Sequence, residues 1–218
     1  MSLALFDLDN TLLAGDSDYL WGRFLVEHQI VDARFYEQEN QRFYDDYVAG
    51  RLDIHAFLRF QLRPLTEHDT ATLYQWREQF LAEKIAPVVL SAALALLDRH
   101  RVQGDTLVII TATNRFITGP IAERLQVEHL LATEPEMRDG RFTGAITGIP
   151  CFQTGKLSHL QAWMMGQKES LDASWFYTDS HNDLPLLQLV SNPVAVDPDP
   201  ILATHAEQQG WPIISLRS

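Results

Sequence analysis

Cysteine, basic residues and long apolar runs are all scarce in this sequence. Cys151 is the single cysteine among 218 residues, so no disulfide can form within the chain and a reducing compartment is expected. No apolar run approaches the roughly 20 residues that a membrane-spanning helix needs. The 17 Lys and Arg against 29 Asp and Glu give a net charge of −12, which argues against a nucleic-acid-binding surface. We therefore expect a cytoplasmic protein whose partner is neither a membrane nor a nucleic acid.

Short, nearly continuous apolar segments predict buried β-strands. They span residues 3–6, 106–110, 174–177, 193–196 and 212–215. Unbroken apolar strands are typical of a sheet that is covered on both faces. Apolar residues at helical spacing lie between them, at 90–100, 116–125, 157–164 and 184–190. This alternation predicts an α/β fold with a doubly wound parallel sheet.

Residues from about 16 to 86 interrupt the alternation, because they contain helical patterns rich in aromatic residues and no strand candidate. Aromatic residues at helical spacing usually form the packing core between helices. We therefore predict a helical domain, residues 16–86, inserted into an α/β core made of residues 1–15 and 87–218. The insertion leaves the chain just after the first strand, so it should overhang the end of that strand. Within the core, residues 137–142 predict a β-hairpin with an Asp-Gly turn.

Two acidic residues, Asp7 and Asp9, follow the first predicted strand. Ligands bind at this end of the strands in open α/β sheets, and side chains two positions apart on extended backbone point the same way, roughly 6 to 7 Å apart. Two such carboxyl groups can bracket a tetrahedral group, one attacking it and the other moving a proton. A turn stabilised by Asp and Asn side chains is the ordinary alternative. A calcium loop is excluded, because Leu12 and Asp18 replace its glycine and its bidentate glutamate.

Polar residues also follow the other predicted strands. Thr111 ends the second strand, and Asp179, Asn182 and Asp183 follow the third, while Lys156 opens the helix between them. Each has an ordinary interpretation, with Thr111 as a helix cap, Lys156 as a solvated side chain and the acids as turn formers. Because all of them belong to the C-terminal edge of one sheet, they indicate a single acidic crevice that contains a lysine.

The chain resembles the haloacid dehalogenase (HAD) superfamily in four motifs, which are Asp7-x-Asp9-x-Thr11, Thr111, Lys156 and Asp179-x-x-x-Asp183. The resemblance extends over nearly the whole chain. The helical insertion after the first motif is similar to the cap of the phosphoserine-phosphatase-like branch. A lone DxDxT motif would be weak, whereas four motifs in order on the expected strand ends are specific.

The resemblance implies a magnesium-dependent hydrolase of small phosphomonoesters. Asp7 would attack phosphorus and form an aspartyl-phosphate, and Asp9 would protonate the leaving alkoxide and later take a proton from water. Mg²⁺ would be held by the carboxylates of Asp7 and Asp179 and by the backbone carbonyl of Asp9. The remaining roles are phosphate binding, by Thr111 and Lys156, and support of the site, by Asn182 and Asp183.

A receiver-type signalling domain is the rival from another class, since it also combines a doubly wound sheet with a phosphorylated Asp, a Thr and a Lys. Two features argue against it. Asp9 supplies an acid–base group that a slow phosphate-accepting switch lacks, and the helical insertion would close over a small substrate. Metal-dependent hydrolysis of p-nitrophenyl phosphate separates the two classes.

Two residues of the predicted cap, Asp16 and Gln61, bear on the substrate. In phosphoserine phosphatases an acidic residue nine positions after the nucleophile meets the substrate amino group, and Asp16 has that spacing; a hinge residue at the cap entrance is the alternative. Those enzymes hold the substrate carboxylate with a cap arginine, and Gln61 aligns with it, between Arg59 and Arg63. An amide lacks the charge and the planar fork of a guanidinium. This favours an amino-alcohol phosphate such as histidinol phosphate, with phosphoserine as the alternative.

Overall fold

The computed structural model of the protein describes residues 2–167 and 170–217. Its strands are β1 (Leu3–Phe6), β2 (Thr106–Asn114), β3 (His129–Arg138), β4 (Arg141–Thr147), β5 (Trp175–Thr178), β6 (Asn192–Val196) and β7 (Ile213–Ile214). Its α-helices are α1 (Ser17–Glu27), α2 (Ala33–Val48), α3 (Ile54–Glu67), α4 (Thr70–Phe80), α5 (Ser91–Gln103), α6 (Arg115–Arg124), α7 (Thr154–Met164), α8 (Leu184–Leu187) and α9 (Pro200–Gln209). In the described ranges, no helix combines the length and the apolar character that crossing a membrane requires.

The strands form one sheet in the order β4-β3-β2-β1-β5-β6-β7. β1 pairs in parallel with β2 on one side and with β5 on the other, and β4 runs antiparallel to β3 at the edge. The chain therefore moves outward from β1 in both directions, which places the topological switch point at the C-terminal end of β1. The predicted doubly wound α/β sheet is confirmed, with an antiparallel strand at one edge.

Alternate residues of β1 face two separate hydrophobic cores. Leu3 and Leu5 pack with residues of α7, α8 and α9, whereas Ala4 and Phe6 pack with α5, α6 and the helices that follow β1. All four residues are fully buried. Because helices cover both faces of the sheet, the strand carries no polar face, as its unbroken apolar sequence predicts.

β2 and β3 are longer than the sequence predicts. β2 continues through Thr111 to Asn114, so the prediction that Thr111 follows the strand is wrong. The pairing of β2 with β3 shifts register between Ile110 and Asn114, and such an irregularity lets a strand continue through polar residues. Residues 129–133 of β3 were not predicted as a strand, because their apolar run, 130–132, is too short to be recognised.

The predicted hairpin is present around Asp139 and Gly140, which have φ values of +49° and +75°. Two successive left-handed residues are what a tight type I′ turn requires. Its arms extend well beyond residues 137–142, and β4 packs against α3. In contrast, α8 and β7 are shorter than the predicted segments at 184–190 and 212–215.

The helices α1 to α4 lie between β1 and β2, where the sequence predicts helices and no strand. The two segments that join these helices to the sheet are hydrogen-bonded to each other. The Ala14 N–H donates to the Val88 carbonyl at 2.7 Å, and the Leu90 N–H donates to the Leu12 carbonyl at 3.3 Å. The helical segment is therefore attached at a narrow neck beside the C-terminal end of β1.

A glycine at the start of α7 permits the close approach that positions Lys156. A β-carbon on Gly155 would lie 2.0 Å from the backbone oxygen of Pro150. We expect Gly155→Ala to lower the free energy of unfolding by about 2 kcal/mol or more, measured by urea denaturation. Gly166→Ala, just after α7, is the matched control, because its β-carbon would meet nothing nearer than the backbone oxygen of Trp163 at 3.7 Å. That variant should be unchanged or more stable by up to about 1 kcal/mol, and equal stability of the two variants would contradict this account of Gly155.

Candidate active site

The buried ammonium of Lys156 joins two acidic residues at the C-terminal edge of the sheet. Its Nζ donates to Asp7 Oδ1 and to Asp183 Oδ2, each at 2.7 Å. Asp7 directly follows β1, and Lys156 lies in the first turn of α7. Thr178, the last residue of β5, donates its hydroxyl to Asp183 Oδ2 at 2.7 Å. Three distant parts of the sequence thus meet around one positive charge.

Thr11 brings a further acid, Asp179, beside Asp7. The backbone turns sharply at Asn10, whose φ is +57°, a conformation that Asn tolerates better than most residues. The Thr11 hydroxyl then lies 3.1 Å from Asp179 Oδ1 and 3.5 Å from Asp7 Oδ2, and it accepts the Asp179 N–H at 3.1 Å. The carboxylates of Asp7 and Asp179 are therefore neighbours across a single hydroxyl group.

Asp9 is held by hydrogen bonds from two sides. Its Oδ2 accepts the hydroxyl of Thr113 at 2.8 Å and that of Thr111 at 3.3 Å. Its Oδ1 accepts the backbone N–H of Ser17, the first residue of α1, at 2.7 Å. Asp9 is thereby oriented by the end of β2 and by the helices inserted after β1 at the same time.

The site contains more negative charge than Lys156 balances. Burial raises the pKa of Asp7 to about 7, although Lys156 favours its ionised form. Burial, followed by the charges of Asp7 and Asp183, raises the pKa of Asp179 well above its usual range. Burial by itself would lower the pKa of Lys156, but Asp183 and Asp7 outweigh it and hold that pKa above its ordinary value. Lys156 therefore stays charged, and the crowded carboxylates call for a further cation.

This donor set fits magnesium. Among the residues that the structure describes, no three carboxylate, histidine or cysteine side chains come together as a ready-made metal cage. Mg²⁺ does not need such a cage, because it usually binds through one or two carboxylates and keeps water and substrate phosphate as its other ligands. Asp7 and Asp179, adjacent at Thr11, supply that pair of carboxylates.

Asn182 lies where the sheet edge meets α2. Its Oδ1 accepts the side-chain amide of Gln153 at 2.9 Å, and its Nδ2 donates to the backbone carbonyl of Tyr47 at 3.4 Å. The Tyr47 hydroxyl in turn donates to Ser180 Oγ at 3.2 Å. Asn182 and its neighbour Ser180 thus connect the acidic crevice to the C-terminal end of α2.

A pocket separates the sheet edge from the inserted helices. Its wall on the side of the sheet is formed by Asp7, Asp9, Thr111, Ala112, Thr113, Phe152, Lys156, Asn182 and Asp183. Its opposite wall is formed by Asp16, Asp18, Tyr19, Asn40, Phe43, Tyr44, Tyr47, Leu52, Ile54 and Phe57. The cavity measures about 50 Å³, which is room for a few water-sized groups at roughly 10–15 Å³ each. Most residues predicted for the site therefore line one small cavity.

Asp16 and Gln61 have different positions relative to this pocket. Asp16 lines it and also caps α1, because its side chain accepts the Tyr19 N–H at 2.8 Å. Burial, followed by the charge of Asp9, raises the pKa of Asp16 to about 7. Gln61 is buried in α3 behind the wall, where its Nε2 lies 3.5 Å from the backbone oxygen of Asp18. Its predicted role in specificity stays a prediction, and any influence on a substrate would pass through Asp18.

Three residues near the site were not singled out from the sequence. Thr113 and Asn114 were missed because β2 was expected to end at Ile110, although the polar run after an apolar strand was a usable signal. Asp18 was considered only as a position of a calcium loop. Asp16 caps α1 and Asp18 lies in its first turn, and this pair of acids two positions apart was the available signal for a second pocket-facing carboxyl group.

The chain matches a known family and several named proteins. A model of the haloacid dehalogenase-like hydrolase family matches residues 4–188. The chain is 40% identical over 220 residues to a protein of Neisseria meningitidis serogroup C (strain 8013) named histidinol-phosphatase, with 99% of each chain covered. It is 32% identical over 227 residues to a protein of Mycobacterium tuberculosis (strain ATCC 25618 / H37Rv) named phosphoserine phosphatase SerB1, covering 98% of this chain and 70% of that protein.

Solved structures share the fold. A crystal structure of a protein of unknown function from Bordetella pertussis Tohama I matches with a TM-score of 0.92 at 40% identity, covering 99% of this chain and 98% of that one. A substrate-bound phosphoserine phosphatase matches with a TM-score of 0.73 at 17% identity, covering 100% of this chain and 94% of that one, a likeness of fold. Because the family model covers most of the chain and relatives align over nearly its full length, the chain belongs to the haloacid dehalogenase-like hydrolase family.

Proposed function

We propose that this HAD-family phosphatase is a magnesium-dependent hydrolase of an amino-alcohol phosphate such as histidinol phosphate, acting through an aspartyl-phosphate on Asp7. The proposal rests mainly on the charge of the pocket wall opposite the sheet. That wall presents the carboxyl groups of Asp16 and Asp18 and, within the described residues, no lysine or arginine. The cation on the sheet side, Lys156, is already bound by Asp7 and Asp183.

This charge distribution favours an amine over a carboxylate in the leaving group. Both candidate leaving groups carry an ammonium that would meet Asp16, but the carboxylate of phosphoserine would also face two acids without a guanidinium partner, whereas histidinol has no carboxylate. The relative named histidinol-phosphatase, at 40% identity over 99% of both chains, supports the first alternative. The relative named phosphoserine phosphatase SerB1 keeps phosphoserine as the second. Hydrolysis of histidinol phosphate would place the enzyme in amino-acid biosynthesis.

The inserted helices are proposed to act as a cap domain, residues 16–86, over a core of residues 1–15 and 87–218. The narrow neck between Ala14 and Val88 gives a cap one attachment about which to move. Both walls of the pocket are needed to enclose a substrate, one from the core and one from the cap. Closure would exclude water from the reacting phosphate and let the cap recognise the leaving group.

The proposed mechanism assigns one task to each core residue. Mg²⁺ bound by Asp7, Asp179 and the backbone carbonyl of Asp9 would neutralise charge on the phosphate. Lys156 and Thr111 hold phosphate oxygens by charge and hydrogen bonding. The Asp7 carboxylate attacks phosphorus in line, the ester P–O bond breaks, and an aspartyl-phosphate forms.

Asp9 moves the protons in both steps. It protonates the departing alkoxide in the first step, then accepts a proton from the water that attacks the aspartyl-phosphate, which releases inorganic phosphate and restores Asp7. The hydrogen bonds from Thr113 and Ser17 orient its carboxyl group for this work. Asn182 and Asp183 support the arrangement by fixing the cap contact and Lys156.

The substrate preference tests the proposal directly. The wild-type enzyme with magnesium should hydrolyse histidinol phosphate with a kcat/KM at least about tenfold above that for phosphoserine, because both carry the ammonium but only phosphoserine brings a carboxylate to the acidic wall without a guanidinium partner. Steady-state phosphate release measures both values. A preference for phosphoserine would refute the substrate while leaving the phosphatase activity intact.

The nucleophile is tested by Asp7→Asn, because an amide cannot attack phosphorus. We expect less than about 1% of wild-type activity with every substrate, together with a thermal stability at least equal to that of the wild type, since one of several crowded carboxylates is removed. Calorimetry serves as the folding control. Retention of substantial activity by a folded variant would remove Asp7 from the nucleophile role.

The metal is tested by removal and replacement. Excess EDTA should abolish hydrolysis of p-nitrophenyl phosphate, magnesium should restore it, and calcium should inhibit. Calcium accepts more ligands and can bind Asp7 through both oxygens, which leaves neither free to attack. Full activity after verified removal of metal would contradict the proposed cofactor.

The role of Asp9 is tested by the leaving group. Asp9→Asn should slow phosphorylation by an alkyl phosphate about 100-fold or more, but should slow phosphorylation by p-nitrophenyl phosphate much less, since p-nitrophenolate leaves without a proton. Rapid-quench measurement of the phosphorylation step separates it from hydrolysis of the intermediate. Equal losses for both substrates would remove Asp9 from the acid role.

A further inference from the structure

Resting on the proposed function, we propose that Asp18 is a second substrate-binding carboxyl group, which recognises an N–H-bearing ring of the leaving group beyond the ammonium that Asp16 would bind. Asp18 lies in the first turn of α1 and lines the pocket, and only 5% of its surface is exposed to solvent. The ligand class is therefore an amino alcohol that carries a second, ring nitrogen, as histidinol does.

The partners of Asp18 in the described residues are neutral. Its Oδ1 accepts the side-chain amide of Asn114 at 3.3 Å. Gln61 approaches its backbone carbonyl. A buried carboxyl group without a cationic partner is costly to ionise. Burial, followed by the charges of Asp16 and Asp9, accordingly raises its pKa well above the usual range.

Residues next to Asp18 carry unsatisfied polar atoms. Within the described residues, Ser17 Oγ, Gln61 Oε1 and Asn114 Oδ1 are buried and have no hydrogen-bond partner. Asn114 and Gln61 are the residues that contact Asp18, and Ser17 precedes it in the chain. Most buried polar atoms in proteins have a hydrogen-bond partner. This cluster therefore indicates a binding site for a polar ligand in addition to the packing of helices.

Three acids that meet at the N-terminus of α1 can be matched to the three groups of histidinol phosphate. Asp9 is the proposed proton donor to the ester oxygen. Asp16 caps α1, Asp18 lies in the first turn of the same helix, and the N–H of Ser17 between them donates to Asp9. In histidinol phosphate the amino group lies on the carbon next to the ester carbon, and the imidazole lies one carbon further on. The proposal assigns the ester oxygen, the ammonium and the ring to Asp9, Asp16 and Asp18.

The remaining walls suit a flat ring. Aromatic residues from the cap and the core line the pocket, namely Tyr19, Phe43, Tyr44, Tyr47, Phe57 and Phe152. Aromatic faces attract flat and cationic rings. An imidazole placed between such walls would be oriented, so that one of its N–H groups can point to Asp18.

The protonation states of the two partners are compatible without any change in net charge. A neutral Asp18 carboxyl group and a neutral imidazole can exchange one proton to give a carboxylate and an imidazolium. Either state is a strong hydrogen-bonded pair, and imidazole titrates near neutral pH, so the proton is easily transferred. Asp18 can therefore receive the ring without an uncompensated buried charge.

The test compares two free alcohols that differ in the ring alone, histidinol and 2-aminopropan-1-ol, as competitive inhibitors of p-nitrophenyl phosphate hydrolysis. In the Asp18→Asn variant we expect the Ki of histidinol to rise about tenfold, as for loss of one charge-assisted contact, and the Ki of 2-aminopropan-1-ol to change by less than about twofold. Asp16→Asn should raise both inhibition constants together. The ratio of the two Ki values within each variant does not depend on that variant's turnover rate.

Asp45→Asn is the charge-matched control, because Asp45 is exposed on α2 and bonds to Gln41 outside the pocket. It should leave both Ki values unchanged. Histidinol methylated on each ring nitrogen in turn supplies a second measurement on the wild type, and one of the two isomers should bind about tenfold more weakly. This measurement decides the question if Asp18→Asn does not fold.

Each outcome has a distinct meaning. A selective rise in the histidinol Ki supports the role of Asp18, even if the wild type prefers phosphoserine, in which case the proposed substrate fails alone. Equal changes in both Ki values, or no change in either, would overturn the role of Asp18 while the phosphatase proposal stands. If the wild type does not hydrolyse p-nitrophenyl phosphate, the proposed function fails, and calorimetric binding of the two alcohols tests Asp18 by the same ratio.

Discussion

The ammonium of Lys156, enclosed between Asp7 and Asp183, fixes the geometry of the acidic crevice. It joins the end of β1, the first turn of α7 and the turn after β5 by two contacts of 2.7 Å. These contacts hold the three segments in one arrangement, and Asp183 would still pair with Lys156 if Asp7 lost its charge. The same contacts leave the site short of positive charge, because Asp9 and Asp179 lie close by. A phosphate dianion would worsen that imbalance, and a divalent cation would correct it, which is the physical reason for the proposed metal requirement.

Asp9 extends this network from the sheet into the inserted helices. One of its oxygens is bound by Thr113 at the end of β2, and the other by the backbone N–H of Ser17 at the start of α1. A movement of α1 away from the sheet would break the second contact and release the carboxyl group. The proposed acid–base group is therefore fully oriented when the helices are in place, and the contacts of Tyr47 with Ser180 and Asn182 favour the same position.

The sequence predicts those parts of the molecule that follow from local patterns. Unbroken apolar strands, intervening helical periodicity and acids placed after strands correctly predict the doubly wound sheet and the meeting of Asp7 with Lys156. The end of β2 was misplaced because a register shift after Ile110 depends on its pairing with β3, which no local pattern reveals. For the same reason the sequence did not reveal the partners of Asp18. Asn114 of β2 and Gln61 of α3 come from distant segments and meet Asp18 only in the folded chain.

In the proposed function, the residue at position 61 bears on the choice between the two candidate substrates. The amide of Gln61 lies 3.5 Å from the backbone oxygen of Asp18, so Gln61→Arg would bring a guanidinium close to that residue. A guanidinium there would neutralise Asp18, and it would offer the pocket a partner for a carboxylate instead of an acceptor for N–H. Recognition of a carboxylate and recognition of a ring nitrogen are therefore alternatives at this wall. With a neutral amide at position 61, Asp18 keeps its ability to accept a proton donor, and the wall suits a nitrogen-bearing leaving group.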